Sequence, residues 1–448
     1  MVRRYFPCVL AIGAASAAAI AGPSSVDLYV SSLSNNSATW TTNGPVNGVR
    51  AYSIGYSICN RSTTASVWNA NTPNHPITTS NMFIVRDGMI RQVGMSWVFH
   101  EFFPLQQNCS GCVAGPSGTL GPGCFSTTSD ASAGQQTRLL RRSWVNAATG
   151  QFVYPGDQTG DNSVIGKRLQ VHTSDLETGY SNYFIEVQMI APEEIGQEEK
   201  IYNNSFRRVT IVGPLQQPFP QDFTIDEPAI FAWRYFGNGA QQDPSVRIER
   251  VDIPNDGTVF LGSRAQNIGG GVWRYTYAIH NVNSDRSINR LAVGLNGAVA
   301  QNIQYFDPDY HSGEVYFDDE WDYDASHGAN LYWFGPDYAF SGLGNVIRWG
   351  TLYTFQFEAA AIPLDGQAEL RLYKPGVPSA VNAPATVSSG LFCPTDINGD
   401  ASTDFGDLNL LLGAYGATGP ETASDVDGDG EVGFSDLNLL LGQYGQGC

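Results

Sequence analysis

The chain is short of positive charge. Of 448 residues only 24 are Lys or Arg against 43 Asp and Glu, a formal net charge of −19, which argues against nucleic acid and anionic membranes as partners. Long apolar runs are missing too: beyond the first 21 residues no stretch approaches the roughly 20 apolar residues that a membrane-spanning helix needs. Histidine is scarce, six in all, and none stands in a H-x-H or H-E-x-x-H spacing that would set two imidazoles on one metal. No G-x-S-x-G elbow, phosphate loop or dinucleotide fingerprint occurs. Glycosidases, which work with paired carboxylates and carry no short signature, are untouched by that absence.

At the start, MVRRY is positive, FPCVLAIGAASAAAIA is a short apolar run, and Ala19-Ile20-Ala21 is a small-residue cleavage site. This pattern predicts a secretory signal peptide over residues 1–21 and a mature protein that is secreted, extracellular or attached to the cell surface, with no membrane insertion. Cysteine usage agrees, because after Cys8 leaves with the signal six remain: Cys59, Cys109, Cys112, Cys124, Cys393 and Cys448. In an oxidising compartment three disulfides are expected. Cys393 and Cys448 bracket one segment and should clasp its ends, while Cys59 should pair with one of Cys109, Cys112 and Cys124. Cys109-Ser110-Gly111-Cys112 has the spacing of a redox motif but lacks the strand-then-helix setting of one.

From Val26 to about Pro375 the sequence is short runs rich in Thr, Val, Ile, Tyr and Phe, cut by Gly, Pro, Asn and Asp. RLQVHTSD, NYFIEVQMI, RRVTIVG, VWRYTYAIHNV and LYTFQFEAA are strand segments by that criterion. The expected fold is mainly all-β: two β-sandwich-like domains, at 22–220 and 228–376, plus a small C-terminal α-helical module at 393–448. GPLQQPFPQDF, residues 213–223, suggests a break between the domains. KPGVPSAVNAPATVSSG, low in charge and rich in Pro, Ala and Ser, predicts a linker over 377–392.

More than half of the net charge lies in the last segment, where residues 393–448 hold ten acidic residues and no Lys or Arg. DINGDASTDFGDLNLLLGAYG returns 29 positions later as DVDGDGEVGFSDLNLLLGQYG. Both copies fit a 12-residue calcium loop, in which oxygens at positions 1, 3, 5 and 12 face the ion, position 7 gives a backbone carbonyl and position 6 turns sharply. The first copy offers Asp396, Asn398, Asp400, Ser402 and Asp407, with Asp404 at position 9; the second offers Asp425, Asp427, Asp429, Glu431 and Asp436. Carboxylates so close repel without a divalent ion, so about two Ca2+ ions are expected as part of the fold. Ala401 replaces the position-6 glycine, which predicts a weaker or distorted first site. After each loop Leu408, Leu411, Leu412 and Tyr415 recur as Leu437, Leu440, Leu441 and Tyr444, one apolar helix face per copy; two such faces can bury each other, and Gly416 and Gly445 stop the helices.

These two loops, each with Asp at position 12 and one following helix, resemble a dockerin, the duplicated calcium module by which secreted bacterial proteins attach to a cohesin partner. The final Gly447-Cys448 is similar to the GC-type variant. The resemblance covers about an eighth of the chain and implies a cohesin-like or other surface protein as partner. Positions 10 and 11, often Ser-Thr in the family, are Phe405-Gly406 and Phe434-Ser435 here, a departure in the residues that read the cohesin. YTYAIHNVNSDRSI, YHSGEVY and NVIRWGTLYTFQFEA resemble a β domain of secreted bacterial proteins bearing such anchors, with Trp349 and Tyr353 read as core aromatics. Cys124, Asn203 and Asn204 carry a similarity to the lysyl oxidase kind of β domain. That family's copper and quinone chemistry is not implied, since NHPITTSNMF holds only His75 and the quinone positions read as Ser96 and Phe125.

The densest polar stretch before the module is FDPDYHSGEVYFDDEWDYD, with Asp307, Asp309, His311, Glu314, Asp318, Asp319 and Glu320. It supports either a calcium clip or, as the alternative function, a polysaccharide hydrolase using Asp309 and Glu314 as acid and base. Carbohydrate, stacked on exposed tryptophans, is the corresponding partner class. His75 and His100 are the two histidines placed to meet. The favoured reading is a non-catalytic binding or structural protein anchored through its calcium module.

Overall fold

The computed structural model of the chain describes residues 26–100, 103–156, 159–194, 203–326, 329–419 and 421–448. The expected signal peptide lies outside the described residues. The fold is mainly β. In the first domain one antiparallel sheet runs, in spatial order, through strands Gln217–Thr224, Asn203–Val212, Tyr183–Ile190, Ile77–Arg86, Met89–Met95, Leu169–His172, Val49–Asn60 and Cys124–Thr128. Strand Leu28–Thr39 pairs with Val49–Asn60 and packs back across Asn203–Val212, where Ser205 Oγ donates to the Val30 carbonyl at 2.8 Å. The sheet thus encloses a core of Leu28, Val30, Tyr52, Ile54, Met82, Ile185, Val187 and Ile211.

The second domain is a sandwich of two five-stranded antiparallel sheets. One contains Thr258–Asn267, Trp273–Asn281 and Thr351–Ala359; the other contains Asn330–Phe334, Ile288–Gly294, Pro363–Leu372 and Ala380–Ser388. Inward residues of the two sheets alternate along each strand and meet in one core, with Tyr275, Tyr277, Phe355 and Phe357 facing Leu291, Trp333, Leu370 and Val387. Tyr353 is fully buried and Trp349 nearly so, as expected of core aromatics.

Two expected linkers are strands instead. QPFPQDFT, within the break proposed at 213–223, forms Gln217–Thr224 against Asn203–Val212. It is the outermost strand of its sheet, where Pro218 and Pro220 remove N–H groups that a neighbour would otherwise need. The linker expected over 377–392 is mostly strand Ala380–Ser388, paired in register with Pro363–Leu372. Val381, Ala383, Ala385 and Val387 alternate inward, and Pro384 is again tolerated because the strand is an edge. Small side chains hid that alternation behind a linker-like composition.

The break between domains is replaced by an interface. Strand Tyr183–Ile190 is buried along its whole length: its Tyr, Ile, Val and Met face the first core, while Phe184, Glu186 and Gln188 face the second domain. Phe184 joins Phe83, Ile90, Phe206, Trp233, Phe260 and Leu352 in an apolar cluster drawn from both domains. Beside it lies a polar network. Glu186 accepts from Asn81 Nδ2 at 3.0 Å and from the Ala229 N–H at 2.7 Å. Arg142 donates to Thr79 Oγ1, Asn81 Oδ1 and the Ser96 carbonyl in the first domain, and to the Gly350 carbonyl at 2.9 Å in the second. Burial lowers the Arg142 pKa to about 10, still charged at neutral pH.

The cysteines pair as Cys59–Cys109, Cys112–Cys124 and Cys393–Cys448, so Cys109 and Cys112 belong to different bridges and form no redox couple. Replacing Arg142 with Met should remove a buried guanidinium and its four hydrogen bonds at a site shielded from water. We expect a loss of about 3 to 5 kcal/mol, measured as a lowered urea midpoint with both domains unfolding in the same transition; a change under about 1 kcal/mol would show that the network does not hold the interface.

Candidate metal centre

The repeated segment folds as two loops, each leading into one helix, Phe405–Gly413 and Phe434–Gln443. The carboxylates at positions 1 and 12 accept the same backbone hydrogen bonds in both loops. Asp396 Oδ1 accepts from the N–H groups of Gly399 (2.8 Å) and Asp400 (3.1 Å), and Oδ2 from Ala401 (2.8 Å). Asp425 repeats this with Gly428, Asp429 and Gly430 at 2.8, 3.1 and 2.8 Å. At position 12, Asp407 Oδ1 accepts from Ile397 and Asn398 and Oδ2 from Asp404, while Asp436 accepts from Val426, Asp427 and Gly433. Each carboxylate therefore fixes the loop that it closes. The position-12 aspartates reach back to the N-cap N–H and anchor the helices as well.

Within the second loop Asp425, Asp427 and Asp429 bring ligand oxygens within 4.8 Å of one another. The first loop carries neutral Asn398 at position 3, and its Nδ2 donates to Asp400 Oδ2 at 3.0 Å, so it holds less negative charge. Asp396 lies beside Cys393 and Cys448, whose sulfurs are bonded to each other and offer no thiolate. Ser402 and Glu431 each donate a backbone N–H to the position-5 carboxylate, at 3.0 and 2.9 Å. Asp404 is the N-cap of the first helix, with Oδ1 accepting from Gly406 N–H at 2.7 Å. Ala401 adopts the left-handed conformation, φ +69, that Gly430 takes at +92 in the second loop, a strain of about 1 to 2 kcal/mol. The backbone pattern survives it.

Asp396, Asp407 and Asp436 are fully buried and Asp425 nearly so, in a segment without Lys or Arg. Each of these carboxylates uses three of about four lone-pair sites on backbone donors, which leaves a site free for a cation. Burial raises the Asp396 pKa despite those donors. The donor set is all oxygen, carboxylate and carbonyl, which fits a hard divalent ion of the Ca2+ type.

The helix faces depart from expectation. Leu411 and Leu440 are buried and Leu408 and Leu437 half-buried, meeting Ile397, Val426 and Val432, but Leu412, Tyr415, Leu441 and Tyr444 are exposed. A helix of two to three turns closes this small core with one leucine row, supported by the apolar residue at position 2 of each loop. The second row has nothing left to cover it.

Elsewhere, Glu314 is half-buried: Oε2 accepts from the Arg142 N–H at 2.8 Å and Oε1 from Ser143 Oγ and the Val315 N–H. Asp309 is exposed and pairs with His172 Nε2 at 3.2 Å. Both contacts cross from the second domain to the first, so the acidic stretch clasps the domains. Burial raises the Asp307 pKa to about 6, with Glu320, Asp309 and Asp318 adding to it. His75 and His100 do meet, rings 5.8 Å apart, and burial lowers their pKa values to about 4 and about 3. Among the described residues neither belongs to a group of three metal-ligating side chains.

No family model matches the chain, and no curated protein matches it. Among solved structures it is similar to the serine-rich repeat adhesion glycoprotein Srr1 of Streptococcus agalactiae, at 8% identity and TM-score 0.18 over 82% of this chain and 97% of that one. It is also similar to the C-terminal domain of the antigen I/II polypeptide BspA of the same species (9%, TM-score 0.19, 78% and 98% covered). A third is the C-terminal domain of the antigen I/II-family protein AspA of Streptococcus pyogenes (10%, TM-score 0.19, 82% and 100%). A likeness this distant assigns no activity or partner.

Asp436→Ala should remove both the cation's buried counter-charge and the anchor of the second helix. Calorimetric titration of the full chain with CaCl2 should show about two sites in the parent and one fewer in the variant. Saturating calcium at 100 times Kd should stabilise the parent module by about 2.7 kcal/mol for each site filled; a melting temperature indifferent to calcium and to chelator would overturn the assignment.

Proposed function

We propose that this is a secreted, non-catalytic binding or structural protein, attached to the cell surface or to an extracellular complex by its calcium-loaded, dockerin-like C-terminal module. The observation that carries the reading is the surface left over once the module's core is built. Phe405, Leu412 and Tyr415 on the first repeat, and Phe434, Leu441 and Tyr444 on the second, are all exposed. Apolar residues of this size, repeated along and just beyond two short helices, have the character of a protein-docking face. The loops below them offer oxygen cages whose ion would hold the two helices in place, so attachment depends on calcium. A cohesin-like domain is the partner that the resemblance implies.

Non-catalytic function is favoured over glycoside hydrolysis because Glu314 already accepts three protein hydrogen bonds, from Arg142, Ser143 and Val315, which tie it to the junction between the domains as a structural group. Immobilised cohesin-like domains should retain the full chain in calcium and release it in chelator. Leu412→Asp with Leu441→Asp should weaken retention at least a hundredfold, while either substitution alone should cost less than tenfold, since the duplicated face offers a second copy. Retention that survives chelation would refute the anchoring mechanism.

A further inference from the structure

The C-terminal module does not hang free. Its two loops sit on one turn of the second domain, residues 267–274, and several of the contacts there use positions 1 to 4 of the loops. Gly270 N–H donates to the carbonyl of Asp425, position 1 of the second loop, at 2.7 Å. Asn267 Nδ2 donates to the carbonyl of Ile397, position 2 of the first loop, at 3.2 Å, and its Oδ1 accepts from Gly269 N–H at 2.9 Å. Trp273 packs against Gly399, position 4 of the first loop, where a Cβ would come within 2.7 Å of the indole. Gly428, position 4 of the second loop, meets Gly270. Just outside, Arg274 holds Glu421 through two hydrogen bonds of 2.7 and 2.9 Å, while Glu358 braces the same guanidinium at 2.7 Å. The turn approaches so closely that a Cβ at Gly271 would strike Phe392 at 2.6 Å.

We infer that the turn at 267–274 is a docking cradle for the two metal loops, so that cation binding and docking of the module on the second domain form one coupled equilibrium. The inference rests on the calcium reading of the loops given above. With the cation removed, Asp396 and Asp400, and Asp425, Asp427 and Asp429, repel across their loops. The backbone at positions 1 to 4 then loses the shape that Gly270, Asn267 and Trp273 fit, and the module leaves the cradle. Because coupling is reciprocal, residues of the cradle that touch no ligand contribute to calcium affinity by the factor with which calcium promotes docking. Phe405, Leu412, Tyr415 and their counterparts are exposed in this docked arrangement, so the loaded cradle fixes the direction in which the helix face points.

The test uses the full chain in calcium and in chelator. Hydrogen exchange should show the peptide spanning 267–274 protected with CaCl2 and at least tenfold faster without it, while strand Thr351–Ala359 keeps its protection in both. Asn267→Ala and Arg274→Ala should each weaken calcium binding, measured by calorimetry, about threefold to tenfold. Glu421→Gln, on the module side of the same ion pair, should weaken it in the same direction and guards against a folding defect in the cradle variants. Unchanged calcium affinity in all three variants, or protection at 267–274 that ignores the chelator, overturns the coupling and leaves the metal loops standing. Failure of the parent chain to bind calcium overturns both.

Discussion

Ten carboxylates without one ammonium or guanidinium in residues 393–448 set a constraint that packing alone cannot meet. Side chains at positions 1 and 12 of each loop are driven inward, because their oxygens must cap backbone N–H groups for the loops and helices to close. Once inside, their charge is met by backbone N–H groups, with no Lys or Arg in the segment to pair it. The apolar core they enclose is small, built on Leu411, Leu440, Ile397, Val426 and Val432, and a core of that size supplies little stability without a staple. The disulfide Cys393–Cys448 ties the first and last residues of the segment, and short pairing of Ser402–Thr403 with Gln446–Gly447 closes the same seam. Electrostatics, disulfide and core thus act on one point, the closure of the loops, and the helices follow.

The β domains answer a different constraint. A strand reading YFIEVQMI has apolar side chains on one face and Phe, Glu and Gln on the other; it can be buried on both sides only if the second face meets both an apolar and a hydrogen-bonding surface. The second domain supplies both. Phe184 finds Trp233, Phe260 and Leu352, Glu186 finds the Ala229 N–H, and Gln188 donates to the Val282 carbonyl. Arg142 adds a bond across to the Gly350 carbonyl to those it makes in its own domain. What composition suggested as two sandwiches on a linker is a pair joined through a shared interior.

Much of this was legible from the residues. Alternation in NYFIEVQMI and LYTFQFEAA marked strands, the recurrence of DINGDA as DVDGDG marked the loops, and Cys393 with Cys448 marked the clasp. What stayed hidden had physical reasons. Ala383 and Ala385 bury too little to announce a strand, and prolines at 218, 220 and 384 signal a turn unless the strand is known to be an edge. Glu314 and Asp309 carry the composition of a catalytic pair, yet their partners, Arg142 and His172, are more than a hundred residues distant in the chain. Long-range pairing of that sort leaves no local trace. Likewise the glycines at 269, 270 and 271 suggest only flexibility until the loops that lie against them are placed.

The short connection between strand Ala380–Ser388 and Cys393 changes what a weak interface can do. Residues 389–392 span at most about 14 Å when extended, and Cys393 itself is part of the second domain's core cluster. A module released from the cradle at 267–274 therefore stays beside it, at an effective concentration of the millimolar order for so short a tether. Two backbone-directed hydrogen bonds, a tryptophan on a glycine and one ion pair would be too few to hold two separate proteins together. On this tether they are enough to set an orientation, and few enough for the state of the loops to decide it. A longer linker, of the kind that the composition of 377–392 suggested, would have diluted that competition and left the helix face free to point anywhere.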